Sequence, residues 1–241
     1  MVPISLRMRK IADMASPLTV ADIGCDHGFV SIYMVLEKNV SRAIAMDINE
    51  GPLMRAREHI REYDLTDRIE VRRSDGAKAL KKGEVETAII AGMGGRLTVR
   101  ILKDSFDKFS QMESIVLSPH SETDQVRKYL FENGFVILDE DMVYDEEKYY
   151  TIIKCSCQKG QKETENKEYP YGESGYIYGP KLIDKKHPIL KEYLEYRLNK
   201  YIQIKENIIK KGYAKKGSSI NRLTEIENDI KLIEELITEW R

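Results

Sequence analysis

Seven short runs of apolar, β-forming residues, at 18–23, 42–46, 68–71, 85–90, 114–117, 135–138 and 149–155, alternate with stretches of helical period. Met54-Arg55-Ala56-Arg57-Glu58-His59-Ile60 is one such stretch. This alternation constrains the fold more than any other feature. Parallel neighbours need a crossover, usually a helix, and nearly continuous apolar runs are those buried on both faces. The expected class is α/β, a mostly parallel sheet covered by helices on both sides. The last two runs differ. They are joined by Asp139-Glu140-Asp141 and Tyr144-Asp145-Glu146-Glu147, where no crossover helix fits, so they read as an antiparallel hairpin.

The chain changes character near residue 157. Residues 158–168 are polar and aperiodic, and 169–180 are rich in Tyr, Gly and Pro, so 158–186 reads as a linker. From 187 to 241 a helical period returns. Leu223, Ile226, Ile230, Ile233, Ile237 and Trp240 step by threes and fours, a heptad seam. With the segment before it, joined through Lys215-Lys216-Gly217-Ser218-Ser219, this predicts an antiparallel coiled-coil hairpin. The seam can close within one chain or between two; the oligomeric state stays open, with a monomer slightly favoured.

Charge narrows the partners. Lys+Arg is 39 and Asp+Glu 40, a net charge of -1, which excludes a polycationic tail protein and an acidic disordered chain. Residues 181–216 nevertheless carry 11 basic against 4 acidic side chains. Such a stripe is either a solvated helix face or a surface for a phosphate backbone. No apolar run approaches the length of a membrane span, and the N-terminus has no apolar leader segment. Cys25, Cys155 and Cys157 are an odd set that argues for reduced thiols in a cytoplasmic protein. Cys155-x-Cys157 lacks the second pair of a structural zinc site, so no metal is expected.

Candidate chemistry starts at Asp22-Ile23-Gly24-Cys25-Asp26-His27-Gly28, which follows the first apolar run and opens a helix. Glycines there let main-chain N–H groups approach a ligand, and a helix N-terminus favours a negative group. Asp47, 19 residues after Gly28, ends the second run, where an acid takes ribose hydroxyls. A dinucleotide turn needs a glycine where Asp26 stands, since a carboxylate repels a pyrophosphate. Asp22 instead suits a nucleoside ligand with a cationic amino-acid end, as in S-adenosylmethionine. Asp75-Gly76 ends the third run, where an acid can accept from an adenine amine. Ala91-Gly92-Met93-Gly94-Gly95 ends the fourth, where glycines again admit cofactor and substrate.

Together with Gly51-Pro52 and Leu117-Ser118-Pro119-His120, these segments resemble the bacterial tRNA (adenine-N1)-methyltransferases of the TrmK family. The resemblance begins at Ile4-Ser5-Leu6-Arg7-Met8 and runs through nearly the whole chain, Gly179-Pro180 and the C-terminal hairpin included. It implies a Rossmann-like class I methyltransferase sheet over 1–157, S-adenosyl-L-methionine as cofactor, and N1 of adenine 22 of tRNA as target. It favours Arg7 as the partner of the methionine carboxylate. Three positions depart from the family pattern. Asp47 stands for the usual Glu, Gly28-Phe29 for Ala-Tyr, and Ser118-Pro119-His120 for Gln-Pro-Asn.

The implied reaction needs placement more than covalent catalysis, because adenine N1 already carries a lone pair. N1 methylation leaves a cationic base, and a carboxylate accepting from the N6 amine stabilises that charge. Asp26 is the candidate for this catalytic role, with binding of the cofactor ammonium or a nearby N–H as its alternative. The cofactor set is Arg7, Asp22, Gly24, His27, Gly28, Asp47, Asp75, Gly76, Gly92 and Met93, with His27 read chiefly as orienting Asp26 or capping the helix. The substrate set is Gly94, His120, Lys191, Arg197 and Lys200. Tyr193, Tyr196 and Tyr201 interleave the basic stripe, and Arg9, Lys10, Arg96 and Arg100 extend the tRNA surface. No Asn/Asp-Pro-Pro-Tyr motif for exocyclic amines follows the fourth run, and no Cys is placed for cytosine C5 chemistry. Two other classes share the cofactor half: a small-molecule methyltransferase, and a non-enzymatic scaffold that binds S-adenosylmethionine and RNA.

Overall fold

The computed structural model describes residues 2–16, 18–157, 168–210 and 217–240, with side chains of the last segment described from 221. Residues 158–167 of the expected linker, and Lys215-Lys216 of the expected hairpin joint, lie outside the described residues, whereas Gly217-Ser218-Ser219 of that joint falls in a helix.

Two compact units emerge, Met1–Lys181 and Leu182–Arg241. The first is built on seven strands: β1 (Thr19–Ile23), β2 (Arg42–Asp47), β3 (Ile69–Arg73), β4 (Thr87–Ala91), β5 (Ser114–Ser118), β6 (Phe135–Asp145) and β7 (Lys148–Cys157). They form one sheet in the order β3-β2-β1-β4-β5-β7-β6. The first five strands are parallel, and β7 pairs antiparallel with both β5 and β6. The chain thus runs outward from β1 to β3, returns to β1's other side with β4, and continues to β5. The strand order reverses between β1 and β4, and in open sheets ligands bind outside the carboxyl ends of strands at such a reversal.

Helices cover both faces. They are α1 (Leu6–Met14), α2 (Phe29–Glu37), α3 (Glu50–Glu62), α4 (Gly95–Asp104), α5 (Phe106–Phe109) and α6 (Thr123–Glu132). Alternation along each strand splits the core in two. Val20, Ala43, Ala45, Ile89 and Val116 join Ile11, Ile32, Met34, Leu53 and Ile60 on one face. Ala21, Ile23, Ile44, Met46, Ile90 and Leu117 join Ile101, Leu102, Phe109, Val126 and Leu130 on the other.

The hairpin is longer than its apolar runs. Strands β6 and β7 extend to Asp145 and Lys148, and the turn is only Glu146-Glu147, both at positive φ. The acidic stretch 139–145 is therefore strand. The composition of 169–186 also misleads, because α7 (Gly172–Tyr178) and α8 (Pro180–Asp184) lie there. Their anchor is an ion pair with both side chains fully buried, Arg127 Nε to Glu140 Oε1 at 2.8 Å. Arg127 also donates to Tyr176 O and Ile177 O at 2.7 and 3.0 Å, and Lys181 N–H donates to Glu140 Oε2 at 3.0 Å. Gly179, at φ +95°, passes so close that a Cβ there would lie within 2.7 Å of both charged groups. No larger residue fits that position.

The second unit holds α9 (Pro188–Lys210) and α10 (Gly217–Glu239), packed antiparallel. Leu190, Leu194, Ile226, Ile233 and Leu236 are buried, and Lys205–Glu227 at 2.8 Å and Arg197–Asp229 at 3.9 Å cross between the helices. The expected hairpin is present, with α9 beginning at Pro188.

Candidate active site

The turn after β1 is fixed by main chain. Gly24 N–H and Cys25 N–H both donate to Met46 O, at 2.8 and 2.9 Å, and Gly28 N–H donates to Cys25 O. Gly24 sits at φ +83°, a conformation that favours glycine, and a Cβ there would lie 2.4 Å from the Met93 methyl, which would have to move aside. A cavity of about 230 Å³ opens at this junction, lined by Gly24, Asp47, Asp75, Gly76 and Met93 of the expected cofactor set. Ile23, Ile48, Leu97 and Ile101 give it apolar walls, and Asn49, Ser74 and Arg100 add polar groups. One Asp47 oxygen is held by Asn49 N–H at 2.8 Å. Lys78, at 2.5 Å, and Arg100, at 3.4 Å, grip Asp75 and hold its carboxyl below the usual carboxylate range.

Arg100, expected on the tRNA surface, also lines this cavity, 3.4 Å from Asp75. The signal was present. Leu97, Arg100 and Ile101 share one face of α4 at helical spacing, beginning directly after the glycine turn.

The remaining expected residues lie around this cavity. Asp22 is buried beneath it and accepts from Ser31 Oγ at 3.0 Å. Burial pushes its carboxyl up to about 6, against the opposing Ser31 hydrogen bonds. Below about pH 4 the group is protonated folded and unfolded alike. Between 4 and 6 the folded chain keeps a proton that the unfolded chain releases, and above 6 it carries a buried charge. The ligand-free protein therefore loses stability on this account as pH rises through that window, by about 3 kcal/mol for a shift of about two units. Urea denaturation at pH 5 and pH 8 checks this. Asp22→Asn should gain on the wild type by roughly 1–1.5 kcal/mol between the two pH values, and an equal difference at both would refute it.

Asp26 is the non-glycine residue of the turn at positive φ, 48°, with its side chain 65% exposed. Arg55 Nη2 lies 3.3 Å and His27 Nε2 3.6 Å from its oxygens. His27 is not among the residues that line the cavity; its ring stacks on Phe29 and lies tilted against His59, and its carbonyl pairs with His59 Nδ1 at 2.9 Å. Gly28 is the N-cap of α2. Cys25 is buried beside Asp22 and Asp47, which pushes its thiol pKa up and leaves no thiolate for nucleophilic attack.

Arg7 supplies a second centre. It is only 6% exposed, its guanidinium lies 4.4 Å over the Tyr150 ring, and its Nε and Nη2 have no hydrogen-bond partner. A buried guanidinium with two unmatched donors asks for an anion. Arg7 Nη2 and His120 Nε2 both flank Gly92, at 3.5 and 3.6 Å from where its Cβ would stand, and Gly94 bridges to Ser121. Tyr150 escaped the sequence reading because it arrives from β7, far away in the chain.

In the second unit Lys191 and Lys200 are exposed on α9. Arg197 is engaged within the hairpin, with Asp229, Tyr193 and Tyr201. No group of three metal-ligating side chains and no membrane-length apolar helix occurs among the described residues.

A parallel sheet extended by an antiparallel hairpin, with a glycine turn at its reversal, an acid at the end of β2 and another just after β3, defines a class I S-adenosyl-L-methionine-dependent methyltransferase. The model of the TrmK family, described as tRNA (adenine(22)-N(1))-methyltransferase, matches residues 20–235, and the chain belongs to that family. The tRNA (adenine(22)-N(1))-methyltransferase of Bacillus subtilis (strain 168) is 28% identical over 239 residues, 97% of each chain. The crystal structure of the B. subtilis enzyme superposes with a TM-score of 0.81 at 27% identity, covering 98% of this chain and all of that one. Sp1610 of Streptococcus pneumoniae, solved in complex with S-adenosyl-L-methionine, also gives 0.81, at 25% identity over 97% and 99% of the two chains. The site suits that cofactor: an apolar-walled cavity with a ribose acid, a turn with Gly24 at positive φ, and an unmatched buried guanidinium beside it.

Proposed function

We propose that this chain methylates N1 of adenine 22 in tRNA, and that Asp26 faces the charge that develops on the base. The observation that carries the reading is the cavity at the β1–β4 reversal, where Gly24, Asp47, Asp75 and Met93 meet. S-adenosyl-L-methionine supplies an electrophilic methyl group. Asp47 would take the ribose hydroxyls through the carboxylate oxygen that Asn49 leaves open. Asp75 would accept from the cofactor's adenine amine between the Ile48 and Ile101 walls. Arg7 would pair with the methionine carboxylate and Asp22 lies where it can favour the ammonium.

Asp26 is exposed beside the turn, so a base flipped out of the tRNA can reach it. Its carboxylate would accept from the N6 amine and strengthen that bond as N1 becomes cationic. No proton need leave N1, so no general base is required. A tRNA substrate implies a cytoplasmic enzyme.

The decisive assay transfers labelled methyl from S-adenosyl-L-methionine to unmodified tRNA, with nucleosides identified by mass spectrometry. The expected product is 1-methyladenosine, lost when adenine 22 is replaced. Cofactor binding without methyl transfer to tRNA would reject the reading in favour of a metabolite substrate or a scaffold.

Lys191 and Lys200 support tRNA contact from α9. Replacing both with Ala should weaken tRNA binding about tenfold and flatten its dependence on log salt by about one to two. Titrations at several salt concentrations test this, and an unchanged slope removes α9 from the interface.

A further inference from the structure

The turn after β5, Ser118-Pro119-His120, is tied to the turn after β4 by main chain. Gly92 N–H donates to Ser118 O at 3.1 Å, and His120 N–H donates to Met93 O at 2.8 Å. Met93 is the residue whose methyl abuts Gly24 in the cofactor cavity, so His120 stands one hydrogen bond away from that wall. Its Nε2 and Arg7 Nη2 converge on Gly92. Within the turn, Ser118 is fully buried and Pro119 is buried and carries no side-chain donor or acceptor. His120 is the exposed residue of the three.

We propose that His120 recognises the target base, its neutral imidazole accepting a hydrogen bond from the exocyclic amine of adenine. The inference rests on the methyltransferase reading above and adds the group that selects the base.

Three side chains face the imidazole: Arg7 from α1, and Lys148 and Tyr150 from β7, the Tyr150 ring centroid at 5.8 Å. Partial burial and the two cations lower the pKa of His120, so the neutral ring prevails at pH 7. Arg7 Nη2 donates to nothing, so it does not occupy the imidazole nitrogen. A neutral imidazole offers one acceptor and one N–H, the same complement as a carboxamide. That explains how histidine can stand where the resembling family carries asparagine. Protonation turns both nitrogens into donors, which then oppose an amine and a base becoming cationic.

The test uses the full-length enzyme with tRNA carrying either adenine or purine, which lacks the amine, at position 22. Wild type should prefer adenine about tenfold or more in kcat/KM. His120→Ala should cut kcat/KM on the adenine tRNA by a similar factor and narrow the preference without abolishing it, because Asp26 still accepts from the other hydrogen of the amine, with cofactor affinity and Tm unchanged. His120→Asn should retain the preference and keep it constant with pH, whereas the wild-type adenine-to-purine ratio falls below about pH 6.5. An unchanged preference in His120→Ala, or a ratio that falls equally with pH in His120→Asn, overturns the proposal. Wild type that leaves adenine 22 unmethylated overturns this proposal and the functional reading together, which separates the two failures.

Discussion

Asp26→Asn is expected to lower kcat for tRNA methylation by about 10²–10³-fold, the usual loss when a group aimed at developing transition-state charge is removed. The amide keeps the size of the side chain and can still accept one hydrogen bond, but it carries no charge to oppose the cationic base. Cofactor affinity should change by less than about threefold, because the cavity lining does not include Asp26. The ion pair with Arg55 is exposed on both sides, so its loss should cost no more than about 1 kcal/mol of stability. Single-turnover methyl transfer with saturating tRNA and cofactor isolates the chemical step. A rate within threefold of wild type would reduce Asp26 to a partner of Arg55.

Arg127→Met is expected to destabilise the protein by about 3–5 kcal/mol, lowering Tm by roughly 10 °C. It strands the Glu140 carboxylate in a fully buried position and removes the donors to Tyr176 O and Ile177 O. Glu140→Gln should cost less, since an amide still satisfies part of the network. Pairing Arg127→Met with Glu140→Leu should recover part of the loss, because the stranded charge goes with its partner. Denaturant titration gives the energies, and hydrogen exchange over 168–181 locates the effect. A loss under 1 kcal/mol in Arg127→Met, with unchanged exchange there, would show that the segment is held by other contacts.

That pair also marks where sequence reading stops. The alternation of apolar runs and helical stretches announced the parallel core because each strand is buried on both faces and needs a crossover helix. Gly24, Asp47, Asp75 and Gly76 were legible because a ligand at strand ends constrains residues at fixed distances after each run. The segment 169–184 was misread as linker because local composition favours turns. What holds it helical is remote: Arg127 and Glu140, and Phe131, whose ring meets the stacked Tyr169 and Tyr176 edge-on. The strand at 139–145 was hidden for a similar reason. It belongs to the edge strand of the sheet, where one row of side chains faces water and charge is tolerated. Tyr150 and Lys148 around Arg7 and His120 come from β7, and no spacing rule links them to an N-terminal helix.

The placement of β7 between β5 and β6 bears on how the chain is made. The outer neighbour of β5 is the last strand to be synthesised, so a growing chain carries β1 to β5 with the β5 edge unpaired until Cys157 has emerged. That edge is the five fully buried residues Ser114–Ser118, an apolar template for pairing with any other exposed strand. A nascent chain stalled or clipped before residue 157 is therefore an aggregation hazard, whereas one ending beyond Lys181 has both the hairpin and its buried ion-pair anchor in place.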